Sequence, residues 1–544
     1  MNKILLCILF LVPFVCAEEI LIKIKADSVT SFAKKSIRAG EVSFTIRPLT
    51  NKRSRFATNW YVATSNERSD KSSWDLAHQL VKENDDIVYG EPNNPAMNSH
   101  YRELARALKK QHSANDTRGY SETWSYPNPD VFGWNLQDSH SQLKRARREA
   151  AYKSGRRIRI AHFDTGYDPD SKNITTPESL RLDLQKNFVK GEDENLAADP
   201  GTSGIADQPG HGTSTMSVLA GNQIDLPSKK YKDYLGGAPE ADIVPIRLST
   251  TVLLFQVDVF AQALYYAIEN DCDVVSMSMG GVASKLWAEA VNDAYNNGVV
   301  VVTAAGNNFA KLPTRYLIYP AKFKRVIAVC GVNYDHSPYY KEDPWFVEMQ
   351  GNWGPKKLMD YAMAAYTPNV PAGKLGKKDH IGNGGGTSAA TPQIAAAAAL
   401  WLHKYRDFKY EHPWQKVNAV RHALFSSARK DHKDSEKYFG NGTLRAADAL
   451  KVAPKLDKNP VPKDEVYLPY LSVFYGWETF DQPAINKDMI TIEMAQLEQS
   501  NPNLRKLLEK LHGKTSISEE EKNAISAELH KIPEASQQLL DSIK

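Results

Sequence analysis

The chain has 544 residues, 42% of them hydrophobic and 24% charged, with a formal net charge of +4. That length exceeds one ordinary domain, and the composition is that of a globular protein. So small a net charge leaves no electrostatic footprint for nucleic acid, and no nucleic-acid partner is expected.

In chain order, the first segment is MNKILLCILFLVPFVCAEE. One lysine, an apolar run from Ile4 to Val15 and a small residue, Ala17, before two acids make a signal-peptide layout over residues 1–17. The run is too short to span a bilayer comfortably, and no later segment has about 18 uninterrupted apolar residues. Export to the periplasm or outside the cell is therefore expected, with no membrane span after signal removal. Residues 18–95 read as a separate unit. EEILIKIKA alternates like a strand, SVTSFAKKSI suits a short helix, and EVSFTIRPL and NWYVATS are β-rich. SSWDLAHQLVKEN carries Trp74, Leu76, Ala77, Leu80 and Val81 at helical spacing, and DIVYGEPN closes as a strand. The order βαββαβ is the ferredoxin-like pattern. Residues 96–130 are polar and turn-rich, as a linker is. The basic runs KRARRE and KSGRR have two readings, processing sites and, the one favoured, the solvated face of a helix leading into the next strand.

Residues 131–455 form the main unit. The apolar runs RIRIAHF, ADIVPIRL, DVVSMSM, VVVVTAA and RVIAVCGV alternate with helical stretches such as FAQALYYAIEN and KLWAEAVNDAYNNG. Near-continuous apolar strands between helices predict an α/β fold, a mainly parallel sheet with helices on both faces. Ligands then sit beyond the carboxyl ends of the strands, where this sequence has DTG, GG, AGNN and GVN. Cys272 and Cys330 lie in or beside these runs and read as buried free thiols rather than a disulfide framework. Residues 456–544 form a C-terminal extension, partly helical. Leu504, Leu507, Leu508 and Leu511 mark an amphipathic helix, and Ser518 with Glu521 makes a capping box for another.

Four settings carry chemistry. Asp164 ends an apolar strand in FDTG, where a buried acid needs a partner. His211, in PGHGTSTMSVLAG, opens a helix of small side chains. Asn307 follows a strand in TAAGNN and can donate through its amide. Ser388 lies in GGGTSAATPQIAAAAALWL. The glycines Gly384, Gly385 and Gly386 allow a tight turn, the helix is expected to begin near Ser388, and Pro392 is expected in its first turn. A serine hydroxyl becomes a nucleophile only with an imidazole base and an orienting carboxylate. DTG alone also fits an aspartic dyad, but no second D-[ST]-G exists in the chain.

Together, FDTG, GHGTSTMSVLAG, SMSMGG, VVTAAGNN, YPA at 319–321 and GGGTSAATP resemble the subtilisin-like serine proteases, the subtilase family. Two departures are Ala389, where the family usually has methionine, and AAYTPNVPAG, a loose form of the stretch before the serine region. The resemblance implies a subtilisin-like fold and peptide-bond hydrolysis with Asp164, His211 and Ser388 as catalytic residues and Asn307 in the oxyanion hole. It implies that Ser278, Met279, Gly280, Ala305 and Gly306 line the substrate site, open to a medium or large apolar side chain. It implies that residues 18–95 are a propeptide, an intramolecular inhibitor and folding aid, so that the enzyme is made as a zymogen. No cofactor is required for the chemistry. Family members often bind structural calcium; Asp168, Asp170 and the acids of GEDEN at 191–195 are unassigned candidates. A processing protease for one precursor and a non-catalytic binding module on the same fold stay open as alternatives to a broad secreted endopeptidase.

Overall fold

A computed structural model describes residues 18–28, 36–50, 54–67, 69–94, 124, 131–150, 155–204, 207–309, 314–343, 348–376, 379–468, 471, 486–511, 514 and 516–543. The expected signal segment, nearly all of the expected linker and most of the first helix expected in the N-terminal unit lie outside these residues.

The N-terminal unit is an antiparallel sheet of β1 (Glu18–Ile24), β2 (Ser36–Ala39), β3 (Val42–Pro48), β4 (Trp60–Ser65) and β5 (Ile87–Pro92), in the order β2-β3-β4-β1-β5. Without β2, this is the strand order of the ferredoxin-like expectation. Ser36 and Ile37, expected at the end of a helix, instead begin a strand that pairs with β3. Helix α1 (Ser73–Glu83) starts on the capping box of Ser72 and Asp75 and buries Trp74, Leu76, Ala77 and Leu80.

The main sheet has seven strands: β6 (Arg159–Asp164), β7 (Lys186–Asn187), β8 (Asp242–Arg247), β9 (Val274–Met277), β10 (Val300–Ala304), β11 (Ile327–Val332) and β12 (Ala362–Tyr366). Their order is β12-β11-β10-β9-β6-β8-β7, and every pairing is parallel. The pleat sends alternate residues to opposite faces. Val275, Met277 and Val301 join the core under helices α4 (Val257–Glu269) and α5 (Lys285–Asn296). Val274, Val300 and Val302 join the core under α6 (Gly386–Lys404) and α7 (Pro413–Ser426). Two helices complete the second layer, α2 (Leu143–Ala150) and α3 (His211–Ala220). In α2, Leu143, Ala146 and Ala150 are buried, but the basic run is only partly the solvated face expected: Arg148 is exposed, whereas Arg147 turns inward and donates to the Gly236 carbonyl at 2.6 Å and to Asp233 at 3.1 Å. The alanine run Ala395–Ala399 is at most 2% exposed, so α6 can lie close to its neighbours. Cys272 and Cys330 are free and buried.

The N-terminal unit docks on α4 and α5. Phe56 stacks on Tyr265 with ring centroids 5.2 Å apart, and Glu289 accepts from Lys23 Nζ at 2.6 Å and Trp60 Nε1 at 2.9 Å. Both helix N-termini are capped from outside. Asn93 accepts from the amides of Val257 and Asp258, each at 2.9 Å. Glu91 accepts from Ser284 Oγ at 2.9 Å and from the amides of Leu286 at 3.2 Å and Lys285 at 3.3 Å.

The C-terminal extension adds helices α8 (Lys487–Ser500), α9 (Pro502–Glu509), α10 (Glu519–Leu529) and α11 (Gln537–Ser542). The expected capping box of Ser518 and Glu521 is present. These helices touch both other units. Gln496 accepts from Trp74 Nε1 at 3.1 Å and donates to the Ala283 carbonyl at 2.8 Å. Glu493, fully buried, meets His78 Nε2 at 3.0 Å and accepts from Ser536 Oγ at 2.8 Å. Among the described residues no helix is long and apolar enough to cross a membrane.

Glu91 makes the docking pH-dependent. Burial pushes its carboxyl up to about 7 against the pull of its helix-capping bonds, from an ordinary 4.5. The folded chain therefore holds a proton that the unfolded chain has released between these values, and stability falls as pH rises through that window. Denaturant titrations of the whole chain should show this group's contribution falling by roughly 1–3 kcal/mol from pH 5 to pH 8. Glu91→Gln should remove that part of the slope; an unchanged slope in the variant refutes the assignment.

Candidate active site

The site lies on the carboxyl rim of the sheet. Asp164 is the last residue of β6 and is fully buried. Its carbonyl accepts from Leu248, so the residue is tied to the end of β8. The chain then turns at Gly166, and α3 comes down onto that turn. A β-carbon on Gly212 would stand 1.9 Å from the Gly166 carbonyl oxygen and 3.1 Å from Asp164 Cβ. Only glycine permits that approach, and it brings the preceding residue, His211, to the carboxylate. His211 Nδ1 lies 2.6 Å from Asp164 Oδ1. The same oxygen accepts from the Thr165 amide at 2.8 Å, and Oδ2 accepts from Thr215 Oγ1 at 2.9 Å. Burial alone would raise the Asp164 pKa; the charge and bond of His211, with smaller help from His162 and the Thr165 amide, outweigh it and hold the carboxyl below its usual range. An ionised carboxylate only accepts, so the His211 proton sits on Nδ1 and Nε2 is left as an acceptor.

Ser388 enters from the other side of the rim. Helix α6 begins at Gly386, two residues before the expected start, so Ser388 is its third residue. Gly386 has φ +67°, and a β-carbon there would stand 2.9 Å from Asn307 Nδ2. Pro392 lies inside the helix, not in its first turn. Proline has no N–H, so it leaves the carbonyl of Ser388, four residues earlier, without its helical donor. Ser278 Oγ supplies that bond at 2.9 Å, and Ser388 Oγ donates to the Ser278 carbonyl at 3.3 Å. The two serines thus hold each other, and among the described residues the Ser388 hydroxyl bonds to that carbonyl rather than to His211. The amide of Ser388 belongs to the first turn of α6, where helical N–H groups have no carbonyl behind them.

Asn307 faces the start of the same helix. Its Oδ1 accepts from the Thr387 amide at 2.9 Å and from Thr387 Oγ1 at 3.2 Å. A backbone N–H can meet only the oxygen of the side-chain amide, so Nδ2 is the end free to donate.

Of the expected substrate residues, Ser278 bonds to Ser388, and Gly280 and Gly306 both face Ile318, so the space between them is not the open slot expected. A β-carbon on Gly280 would stand 2.1 Å from Ile318 Cδ1, and one on Gly306 would stand 3.0 Å from the same atom. The space that both glycines leave is filled by the half-buried Ile318. Met279 is 2% exposed and packs in the core, and Ala305 is fully buried. Two of the carboxylates considered for calcium, Asp168 and Glu192, are engaged within the chain. Asp168 accepts from the amides of Gly376 at 2.7 Å and Asp170 at 2.9 Å, and Glu192 is paired with Arg247 at 2.7 Å. Among the described residues no group of three or more His, Cys, Asp or Glu side chains could hold a metal ion.

Sequence reasoning missed Ile318, Thr215 and His162. Signals for the last two existed. Thr215 is four residues after His211 on one helix, and His162 is two before Asp164 on one strand, so each pair shares a face.

A sequence model of the peptidase S8 group, described as the subtilase family, matches residues 91–442, well over half of the chain. An intracellular serine protease of Paenibacillus polymyxa is 30% identical over 249 residues, spanning 45% of this chain and 67% of that protein. Subtilisin DY of Bacillus licheniformis is 26% identical over 310 residues, spanning 57% of this chain and 96% of that protein. Among solved structures, fervidolysin of Fervidobacterium pennivorans, a keratinolytic enzyme related to subtilisin, superposes with a TM-score of 0.52 at 19% identity, over 81% of this chain and 62% of that one. At that identity the likeness speaks for the fold alone.

The exchange between Ser278 and Pro392 is testable. Ser278→Ala should destabilise the chain by about 1–2 kcal/mol, because the Ser388 carbonyl loses its donor. Adding Pro392→Ala, which restores the helical N–H, should recover much of the loss. Purely additive effects in denaturant titrations would refute the coupling.

Proposed function

The chain belongs to the subtilase family and is a serine endopeptidase, and from that premise we propose that Asp164, His211 and Ser388 form its catalytic triad, with Asn307 in the oxyanion hole. The observation that carries the reading is the 2.6 Å contact of His211 Nδ1 with a buried, ionised Asp164, at the rim where Ser388 opens α6. The chemistry follows from the groups in place. On substrate binding the Ser388 hydroxyl leaves the Ser278 carbonyl and turns to His211 Nε2, which takes its proton as Oγ attacks the scissile carbonyl carbon. The oxygen of that carbonyl becomes an oxyanion, held by Asn307 Nδ2 and the Ser388 amide. His211 returns the proton to the leaving amine, and the acyl group stays on Ser388. Water, deprotonated by His211, then attacks the acyl carbon; the bond to Ser388 Oγ breaks, His211 returns the proton to that oxygen, and the second product leaves as the acid. Asp164 keeps its negative charge throughout and holds the Nδ1 proton. No step calls for a metal or cofactor.

The substrate is a protein or peptide. Ile318 in the slot between Gly280 and Gly306 favours a small side chain, glycine, alanine or serine, on the residue that donates the scissile carbonyl. This observation supports restricted processing over broad proteolysis. The N-terminal unit, seated on α4 and α5, acts as an intramolecular inhibitor, and the protein is exported as a zymogen and cut between residues 96 and 130.

A serine-directed fluorophosphonate should label the wild-type protein at Ser388, and Ser388→Ala should abolish labelling. Absence of label on the wild type would leave a non-catalytic binding module. Asn307→Leu should lower kcat by roughly 10²–10³, the size of an oxyanion amide's effect in this family. With peptides varied at the residue before the cut, Ile318→Gly should raise kcat/KM for leucine or phenylalanine relative to alanine; an unchanged ratio removes Ile318 from specificity. N-terminal sequencing should find wild type shortened and Ser388→Ala intact, and identical ends would remove self-cleavage.

A further inference from the structure

Asp164 is gripped from two directions, and the triad accounts for only one. On the side away from the His211 ring stand Thr215 and His162. Thr215 Oγ1 is 2.9 Å from Asp164 Oδ2 and 2.9 Å from His162 Nε2. It also approaches the carbonyl oxygens of His211 and Gly212, each at 3.2 Å. A hydroxyl has one proton to give. The carboxylate oxygen is both the nearest oxygen and the charged one, so it takes that proton. The lone pairs of Oγ1 are then left to accept, and His162 must offer an Nε2–H. The chain of donors therefore runs one way, from His162 through Thr215 to Asp164.

Building on the triad reading, we infer that His162 and Thr215 are positioning residues of the catalytic site: together they fix the second oxygen of Asp164 and so set the orientation and charge balance of the Asp164–His211 pair. Neither touches the substrate. His162 is 2% exposed, and among the described residues its ring hydrogen-bonds to this one hydroxyl. The ionisable groups facing it are Asp164, at 3.9 Å from Nε2, and His211. Burial pushes the His162 pKa down to about 4 against the pull of Asp164, so the ring is neutral where the enzyme would work and donates without adding charge. With both of its oxygens bound, the carboxylate has no freedom to rotate. Its charge is also shared among three donors, His211, the Thr165 amide and Thr215, so it does not close wholly on the imidazolium.

The test uses the full chain and peptide hydrolysis. Thr215→Val keeps the shape and removes the hydroxyl. It should lower kcat roughly tenfold with KM little changed, as misorientation of a catalytic group does. The acid limb of kcat/KM should move to higher pH by about half a unit, since a carboxylate with one donor fewer holds the imidazolium more tightly. Thr215→Ser should restore both. His162→Gln, which keeps an N–H at that reach, should stay close to wild type, and His162→Leu should reproduce the shift. Loss of stability alone would not move the acid limb. A Thr215→Val enzyme with wild-type kcat and pH profile overturns the inference, as does a Thr215→Ser enzyme that fails to recover. If Thr215→Val does not fold, equal profiles for His162→Gln and His162→Leu overturn it. Fluorophosphonate labelling separates the levels: label at Ser388 with insensitivity to Thr215 and His162 sinks this inference alone, and no label on the wild type sinks the triad beneath it.

Discussion

A charged carboxylate taken fully out of water is the constraint around which the rim is built. Asp164 has no exposed surface and stays ionised, so every approach to it must carry a donor. The Thr165 amide comes from the turn itself, His211 comes from α3, and Thr215 comes from one turn further along the same helix. Those donors fix the distance between β6 and α3, and the bare face of Gly212 makes that distance possible. Weaken the charge, and the helix loses its reason to sit so close to the strand.

The opposite half of the rim answers a different demand. Helix α6 must bring an unpaired amide and a hydroxyl to the same place, and it does so at its beginning, where helical amides are free. Pro392 then removes a bond from the middle of the helix, and Ser278 replaces it from β9's end. The reciprocal contact locks α6 to the segment that follows β9. Asn307, fixed by the Thr387 amide, completes a frame in which each group is held by a partner that does no chemistry.

Much of this was legible in the chain, and the exceptions have physical causes. Five of the parallel strands announce themselves as β-branched runs ending in glycine or polar residues. The sixth and seventh do not: Ala362–Tyr366 is rich in alanine, which favours strands weakly, and Lys186–Asn187 is only two residues long. The start of α6 was misplaced because a glycine at φ +67° can open a helix, and Pro392 was misplaced because its cost is offset by a serine 114 positions earlier in the sequence. The residues proposed as the triad and its asparagine were readable because each sits in a short motif. Ile318 was not: it fills the space of two glycines from a third segment, and only packing discloses it.

The two ends of the described chain meet. Glu493 and Gln496 on α8 hold His78 and Trp74 of the N-terminal unit, and Gln496 also holds the main unit at Ala283. A ribosome delivers these pieces hundreds of residues apart, so the first unit is seated in full only when the last helices have been synthesised. Cutting the connection that follows the first unit would leave the fragment gripped on two fronts, and rebinding at one would be fast while the other still held. Its departure would then be a cooperative event rather than a simple consequence of scission.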